Sequence, residues 1–171
     1  MGRLGADNPT KITMPLTISI STRLRHQHES LRDLVAGLSE EQLKTAINAG
    51  KWTACQQISH LAAYQPIFMD RLQCIRTEET PVFGRYVGDN DPVFLQMQQR
   101  SIEELLSLIG ERGTLLADEL EGWNEEELRR RAVHAKYGSM DVAGWSEFYL
   151  LHEAHHLFAI FMMTQELRAR G

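Results

Sequence analysis

The run LLHEAHHLFAIFMM, residues 150–163, sets three histidines and a glutamate inside an otherwise apolar stretch. At about 100° per residue on a helix, His152 and His156 fall one turn apart and about 40° apart on the same face. Trp145, Phe148, Tyr149, Ala159 and Met163 share that stripe, so the face and its two imidazoles should point into a core. An i, i+4 pair of imidazoles can close on one divalent ion. Leu150, Leu157 and Phe161 occupy the opposite face, which leaves the helix apolar nearly all round. Such a helix is either deeply buried or covered by a partner, and a homodimer is the expectation.

Two ligands hold a metal poorly, so a third should come from another helix. His60 is the candidate, on a stripe with Thr53, Gln56, Gln57, Ala63, Tyr64 and Ile67. If its helix neighbours the last one, three neutral imidazoles meet at one level and leave coordination positions for water or substrate.

HEAHH also fits the H-E-x-x-H pattern of zinc proteases, but the mixed sheet and substrate-binding edge strand of that setting are missing from the pattern of this chain. Glu153-x-x-His156 fits one half of a di-iron motif; the matching place reads Gln57-x-x-His60, and glutamine replaces a bridging carboxylate poorly. Glu153 is a candidate base or hydrogen-bond partner of a ligand imidazole, against the alternative of a solvated surface residue. His28 reads as core packing or a pocket wall, and His155 as a support for the ligands or a buried structural residue. Tyr64, Tyr149, Arg71 and Gln56 are candidates to orient a substrate.

The remaining chain fits one soluble domain. Its 171 residues are 43% hydrophobic and 24% charged, with a formal net charge of -5. Basic residues alternate with acidic ones, as in RLRHQHESLRD, so no electropositive stripe for nucleic acid appears. No segment approaches the roughly 18 apolar residues of a membrane span, and the N-terminus lacks a signal-peptide core, so a cytoplasmic location is expected. Cys55 and Cys74 fall on one helix about 28 Å apart along its axis and cannot pair.

Residues 1–17, broken by Gly2, Gly5, Pro9 and Pro15, read as an irregular arm, and residues 18–171 as a single domain. Leu24, His28, Leu31, Val35 and Leu38 form one helical stripe. Ser39 with Gln42 is a capping box for a short helix. A long helix from about Trp52 to Arg76 contains Pro66, which should kink it or loosen one turn. TPVFGRYVGDNDP then reads as a loop crossing one end of the bundle, long enough for a lid. A third long helix starts at Asp91-Pro92 or at the box Ser101 to Glu104 and stops at Gly122. NEEEL is a capped short helix, VHAKYGSMD a turn, and Asp141 the cap of the last helix. No strand is convincing. The pattern predicts an all-α four-helix bundle with short connecting helices.

Three segments in this order, KWTACQQISHLAAY, VHAKYGSMDVAGW and HEAHHLFAI, resemble the DinB/YfiT-like metal-dependent enzymes, which are unrelated to the DNA polymerase sharing the first name. The likeness runs from about Ile18 to the end of the chain. It implies a four-helix bundle, frequent dimerisation and one divalent metal held by three histidines, here His60, His152 and His156. It also implies a transferase that activates a low-molecular-weight thiol such as bacillithiol, mycothiol or glutathione against an electrophilic small molecule. Arg71, Arg76 or Arg85 would then meet the charged thiol. A hydrolase using metal-bound hydroxide, with Glu153 as base, is the alternative; a non-catalytic, stress-related binding protein is the third. Three imidazoles accept zinc, nickel, iron, copper or cobalt, with zinc, nickel or iron expected.

Overall fold

A computed structural model describes residues 16–170. The expected N-terminal arm falls almost wholly outside them. Helix α1 (Ile18–His26), a 3₁₀ turn (Gln27–Glu29) and α2 (Ser30–Val35) form the first strut of a bundle. The others are α4 (Ala54–Thr77), α6 (Ile102–Glu121) and α8 (Val142–Arg170), while α3 (Glu40–Leu43), α5 (Pro92–Met97) and α7 (Glu125–Arg129) are short connectors. α4 packs against α6 and α8, and α1 packs against the same two, so α1 lies diagonally across from α4. α4 and α8, the helices carrying the three candidate histidines, are therefore neighbours.

The helix starts are fixed by local chemistry. Ser39, Thr53, Ser101 and Asn124 each close a full capping box with the Gln or Glu three residues on. Both proposed starts for the third helix are real, since Asp91 caps α5 and Ser101 caps α6. The expected single stripe at the N-terminus is interrupted by the 3₁₀ turn, although Leu24, His28, Leu31 and Val35 all remain buried.

Pro66 does not break α4, which runs through it. Proline has no N–H to offer Ala62 O four residues back. Arg112 of α6 takes that carbonyl instead, donating from Nη1 at 2.8 Å. Gln65 reaches across in the same place and donates to Ile109 O at 3.0 Å. The missing intrahelical bond is thus replaced by a tie between α4 and α6.

The expectation of no strand is corrected. A three-stranded sheet of order β1-β2-β3 joins Val82–Phe83 (β1), Arg131–His134 (β2) and Gly138–Asp141 (β3). β1 and β2 are parallel, with Val82 opposite Val133 and Phe83 opposite His134; β2 and β3 are antiparallel. VHAKYGSMD is therefore a hairpin, turning at Gly138 with φ of 82°. Strands of two to four residues are too short to show an alternating period, and two of them pair across some fifty residues of sequence. Trp145, fully buried, donates from Nε1 to Ala132 O at 3.3 Å and fastens the sheet to the start of α8. Asp141 accepts from Gly144 N at 2.9 Å, the expected cap.

The apolar core is in two clusters. Leu31, Ile58, Leu61, Leu105, Ile109 and Ile160 belong to one, and Leu24, Phe68, Leu72, Leu116, Trp145 and Leu150 to the other. Between them runs a polar layer of His28, His60, Gln65, Glu153 and His156, all less than 9% exposed. Each large side chain sealed in the clusters contributes ~1.5–3 kcal/mol of hydrophobic stabilisation, which offsets the desolvation of that layer. His28 in this layer packs closely against Gly113 of α6, where an added Cβ would lie 2.4 Å from Cε1. Glycine to alanine in an open helix position stabilises by ~1 kcal/mol. Gly113→Ala should instead destabilise by ~1–3 kcal/mol through overpacking, seen as a lower urea midpoint. The double variant with His28→Ala should cost less than the two single changes together.

Candidate metal centre and cavity

His60 faces inward from α4 just N-terminal to Tyr64, and His152 and His156 face it from α8. His152 Nε2 lies 3.1 Å from Nε2 of His60 and 3.1 Å from Nε2 of His156. The ligating nitrogens of all three lie within 4.8 Å of one another. Two nitrogens on one tetrahedral ion at ~2.0–2.1 Å stand about 3.3–3.4 Å apart, so the cluster is at the size of a small divalent cation. A cation can accept a lone pair from all three of these nitrogens at once, which a single shared proton cannot do. The residues present fit a three-histidine metal site.

Gln57, one turn before His60, lies across from His156, and its Oε1 accepts from His156 Nδ1–H at 2.5 Å. That bond fixes the tautomer and leaves the His156 Nε2 lone pair toward the cluster. The Nδ1 atoms of His60 and His152 are buried with no protein partner. Packing holds these two rings. Gly88 lies so close to His60 that a Cβ there would come within 2.7 Å of Nδ1, and the Tyr64 and His152 ring centroids are 4.2 Å apart. Trp52 leans over both His60 and His156, at 5.0 and 6.3 Å.

Burial dominates the electrostatics. It lowers His60 to about 4 against weak support from Asp89 and Asp91. Burial, with repulsion from neighbouring histidines, takes His152 to about 3 and His156 to about 2. All three rings are neutral at pH 7, the form that binds metal.

A cavity of about 680 Å³ opens beside the three rings. Tyr64, Arg71 and Arg85 line it as the sequence suggested, and so do Tyr86, His134 and Lys136, which the sequence did not single out. The TPVFGRYVGDNDP loop supplies Arg85 to Asp89 to the wall, but β1 pins its first part to the sheet. Other candidates lie elsewhere. Arg76 pairs with Glu127 at 2.7 Å, Gln56 serves its capping box and Gln98, and Tyr149 stacks on Phe68 at 4.4 Å in the core. His28 is a core residue, as favoured. His155 is exposed rather than buried, its ring 5.2 Å from that of His156 at the cavity edge. Glu153 is 2% exposed and not a solvated surface residue. It accepts from Gln27 Nε2 at 2.8 Å and lines no part of the cavity. Burial raises its carboxyl to about 7.

A helical bundle with a buried histidine cluster opening on a cavity is the class that fold and site define. The model of the DinB superfamily matches residues 23–160, and the chain belongs to that family. It is 32% identical over 127 residues to a protein of Oceanobacillus iheyensis provisionally named a metal-dependent hydrolase, covering 74% of this chain and 73% of that one. A protein of Geobacillus thermodenitrificans with the same provisional name is 26% identical over 143 residues, covering 83% and 80%. In fold the chain is similar to YfiT from Bacillus subtilis, described as a probable metal-dependent hydrolase with an unusual four-helix bundle topology. The TM-score is 0.77 at 19% identity, over 94% of this chain and 93% of that one.

The lowered histidines have a consequence for pH. Each takes up its proton at about pH 6.5 in the unfolded chain and only at lower pH when folded. His28, His60, His134, His152 and His156 share this direction, while Glu153, raised by burial, works against it. Five groups outweigh one, so unfolding takes up protons between pH 6.5 and 4.5 and stability falls as pH falls through that window. Denaturation of chelator-treated protein at pH 7, 6 and 5 should give steadily lower midpoints; a midpoint that rises would contradict the assigned burial.

Proposed function

We propose that the protein is a metal-dependent enzyme acting on a small molecule, with His60, His152 and His156 as the ligands of one divalent ion. The observation that carries this reading is the convergence of three neutral Nε2 atoms at the wall of a cavity large enough for an organic substrate. A zinc, nickel or iron ion bound there would supply positive charge that lowers the pKa of a thiol or water brought to it. The protein's own contribution is placement. Gln57 orients His156, Gly88 lets the 84–91 segment close against His60, and Trp52 shields the cluster from bulk water.

The first reaction we assign is thiol transfer. A low-molecular-weight thiol gives its proton to solvent, its sulfur bonds to an electrophilic carbon, and that carbon's bond to the leaving group breaks, the leaving group departing with the electron pair. At about 680 Å³ the cavity is of a size to admit small-molecule reactants. Hydrolysis is the second reading, favoured by the names given to the two relatives. Glu153, turned toward Gln27, does not support either reaction as the base. Metal-dependent consumption of thiol together with electrophile supports the first; ester or amide cleavage without a thiol supports the second.

Metal content by elemental analysis tests the site itself. Protein purified without an affinity tag should carry near-stoichiometric metal, lost in His156→Ala. Gln57→Leu should keep the fold and weaken metal binding by roughly 10–100-fold in competition with a chromophoric chelator. Metal absent from wild type even after reconstitution would overturn the assignment.

We also propose a homodimer built on α8. Leu150, expected on its outer face, is fully buried, but Leu151, Phe158, Phe161 and Met162 are 41–65% exposed on one side of the helix. Single apolar residues on a surface are ordinary, whereas a stripe of four on one helix suits a partner. Phe158→Glu should convert a dimer at micromolar concentration to monomer in light scattering; a wild-type monomer would remove the proposal.

A further inference from the structure

On the side of the cavity toward the sheet, Arg71 is 9% exposed, and among the described residues no carboxylate pairs with its charge. Its Nη1 donates to the Tyr64 hydroxyl at 3.1 Å and its Nη2 to Gly84 O at 2.9 Å, both uncharged acceptors. The rings of Phe83, Tyr64 and Trp145, 5.4–5.9 Å away, hold the guanidinium without cancelling it. A buried charge lacking a counter-charge is costly, and a guanidinium has five donors to offer.

Arg71 has company. Arg85 and Lys136 line the same cavity, and no carboxylate pairs with any of the three among the described residues. The one acidic lining residue, Asp89, is engaged by Trp52 Nε1 at 3.1 Å near the histidine cluster. The cavity is thus cationic in a protein whose net charge is -5.

His134 adds a directed donor. Its Nδ1 accepts the backbone N–H of Lys136 at 3.0 Å and of Tyr137 at 3.3 Å, so the hydrogen of the neutral ring sits on Nε2. The hairpin turn itself sets this tautomer. His134 is 3% exposed and lines the cavity beside Arg71, so Nε2–H is the edge left for a ligand.

We propose that Arg71 and His134, flanked by Arg85 and Lys136, form an anion-recognition subsite for a carboxylate or phosphate on the substrate. Tyr64, touching both Arg71 and His152, sets the spacing between the anion and the reacting end. The inference rests on the proposed reading of the cavity as a substrate site. It adds that the substrate is an acid whose anionic group lies about one tyrosine ring from the histidine cluster.

The test is calorimetric titration with benzoate, phenyl phosphate and neutral benzyl alcohol, on metal-loaded and on chelator-treated protein, with metal content measured on the same samples. Both anions should bind both forms at least about tenfold tighter than the alcohol, and raising the salt should weaken them. Whichever anion is the tighter names the group recognised. Arg85→Ala/Lys136→Ala, a change confined to the cavity rim, should cost about tenfold, and Arg71→Gln or His134→Phe more. Equal binding of alcohol and anions overturns the subsite, as does anion binding that vanishes with the metal and ignores the rim variant. Loss of the anion preference in protein with full metal removes the subsite alone; absence of metal with the preference intact removes the proposed function alone.

Discussion

Three imidazole nitrogens held within 4.8 Å of one another, two of them 3.1 Å from that of His152, constrain everything around them. Neutral rings can share at most one hydrogen across each such contact, and charged rings would repel strongly in so little water. Such an arrangement persists only if apolar packing above and below is strong enough to hold it. The two core clusters do that, and the helices are tied where the layer weakens them. Gln57 bonds across α4 and α8, Gln27 meets Glu153, and Arg112 reaches the carbonyl that Pro66 leaves free. A polar seam through a bundle gains its shape from bonds between helices rather than within them.

The seam explains why one helix carries three roles at once. Along α8, Trp145 and Leu150 fill one core, His152 and His156 face α4, and Ile160 fills the other core. Residues on the remaining side, from Leu151 to Met162, are left apolar and exposed. The near absence of amphipathicity in the sequence therefore has two sources, a polar pair on the inside and an oily outside.

The histidines were legible because their signal is local. The spacing of four on an apolar helix marked His152 and His156, and the choice of His60 as the third ligand rested on its apolar face together with the resemblance to the DinB/YfiT-like family. Capping boxes were equally plain. Glu153 misled, since its position beside His152 in sequence turns it about 100° away on the helix, toward Gln27. His134, Lys136 and the charge state of the cavity were not legible at all. They depend on β1 meeting β2, a pairing of Val82 with Val133 that no local period announces. Gln57 was visible one turn before His60, but its partner could be named only once α4 and α8 were known to lie side by side.

That same pairing shapes what the cavity roof does when a ligand arrives. Val133 N and Ala135 N donate to Pro81 O and Phe83 O at 2.9 and 3.0 Å, fixing one end of the 84–91 segment. Asp91, capping α5, and the Trp52–Asp89 hydrogen bond fix the other. The span left between is short, and the entropy lost in bringing the ends of a chain segment together grows only as the logarithm of its length. Most of that loss is already taken in folding. Ligand entry at this wall then orders little further chain, and the free energy of contact can go into holding the ligand rather than building its enclosure.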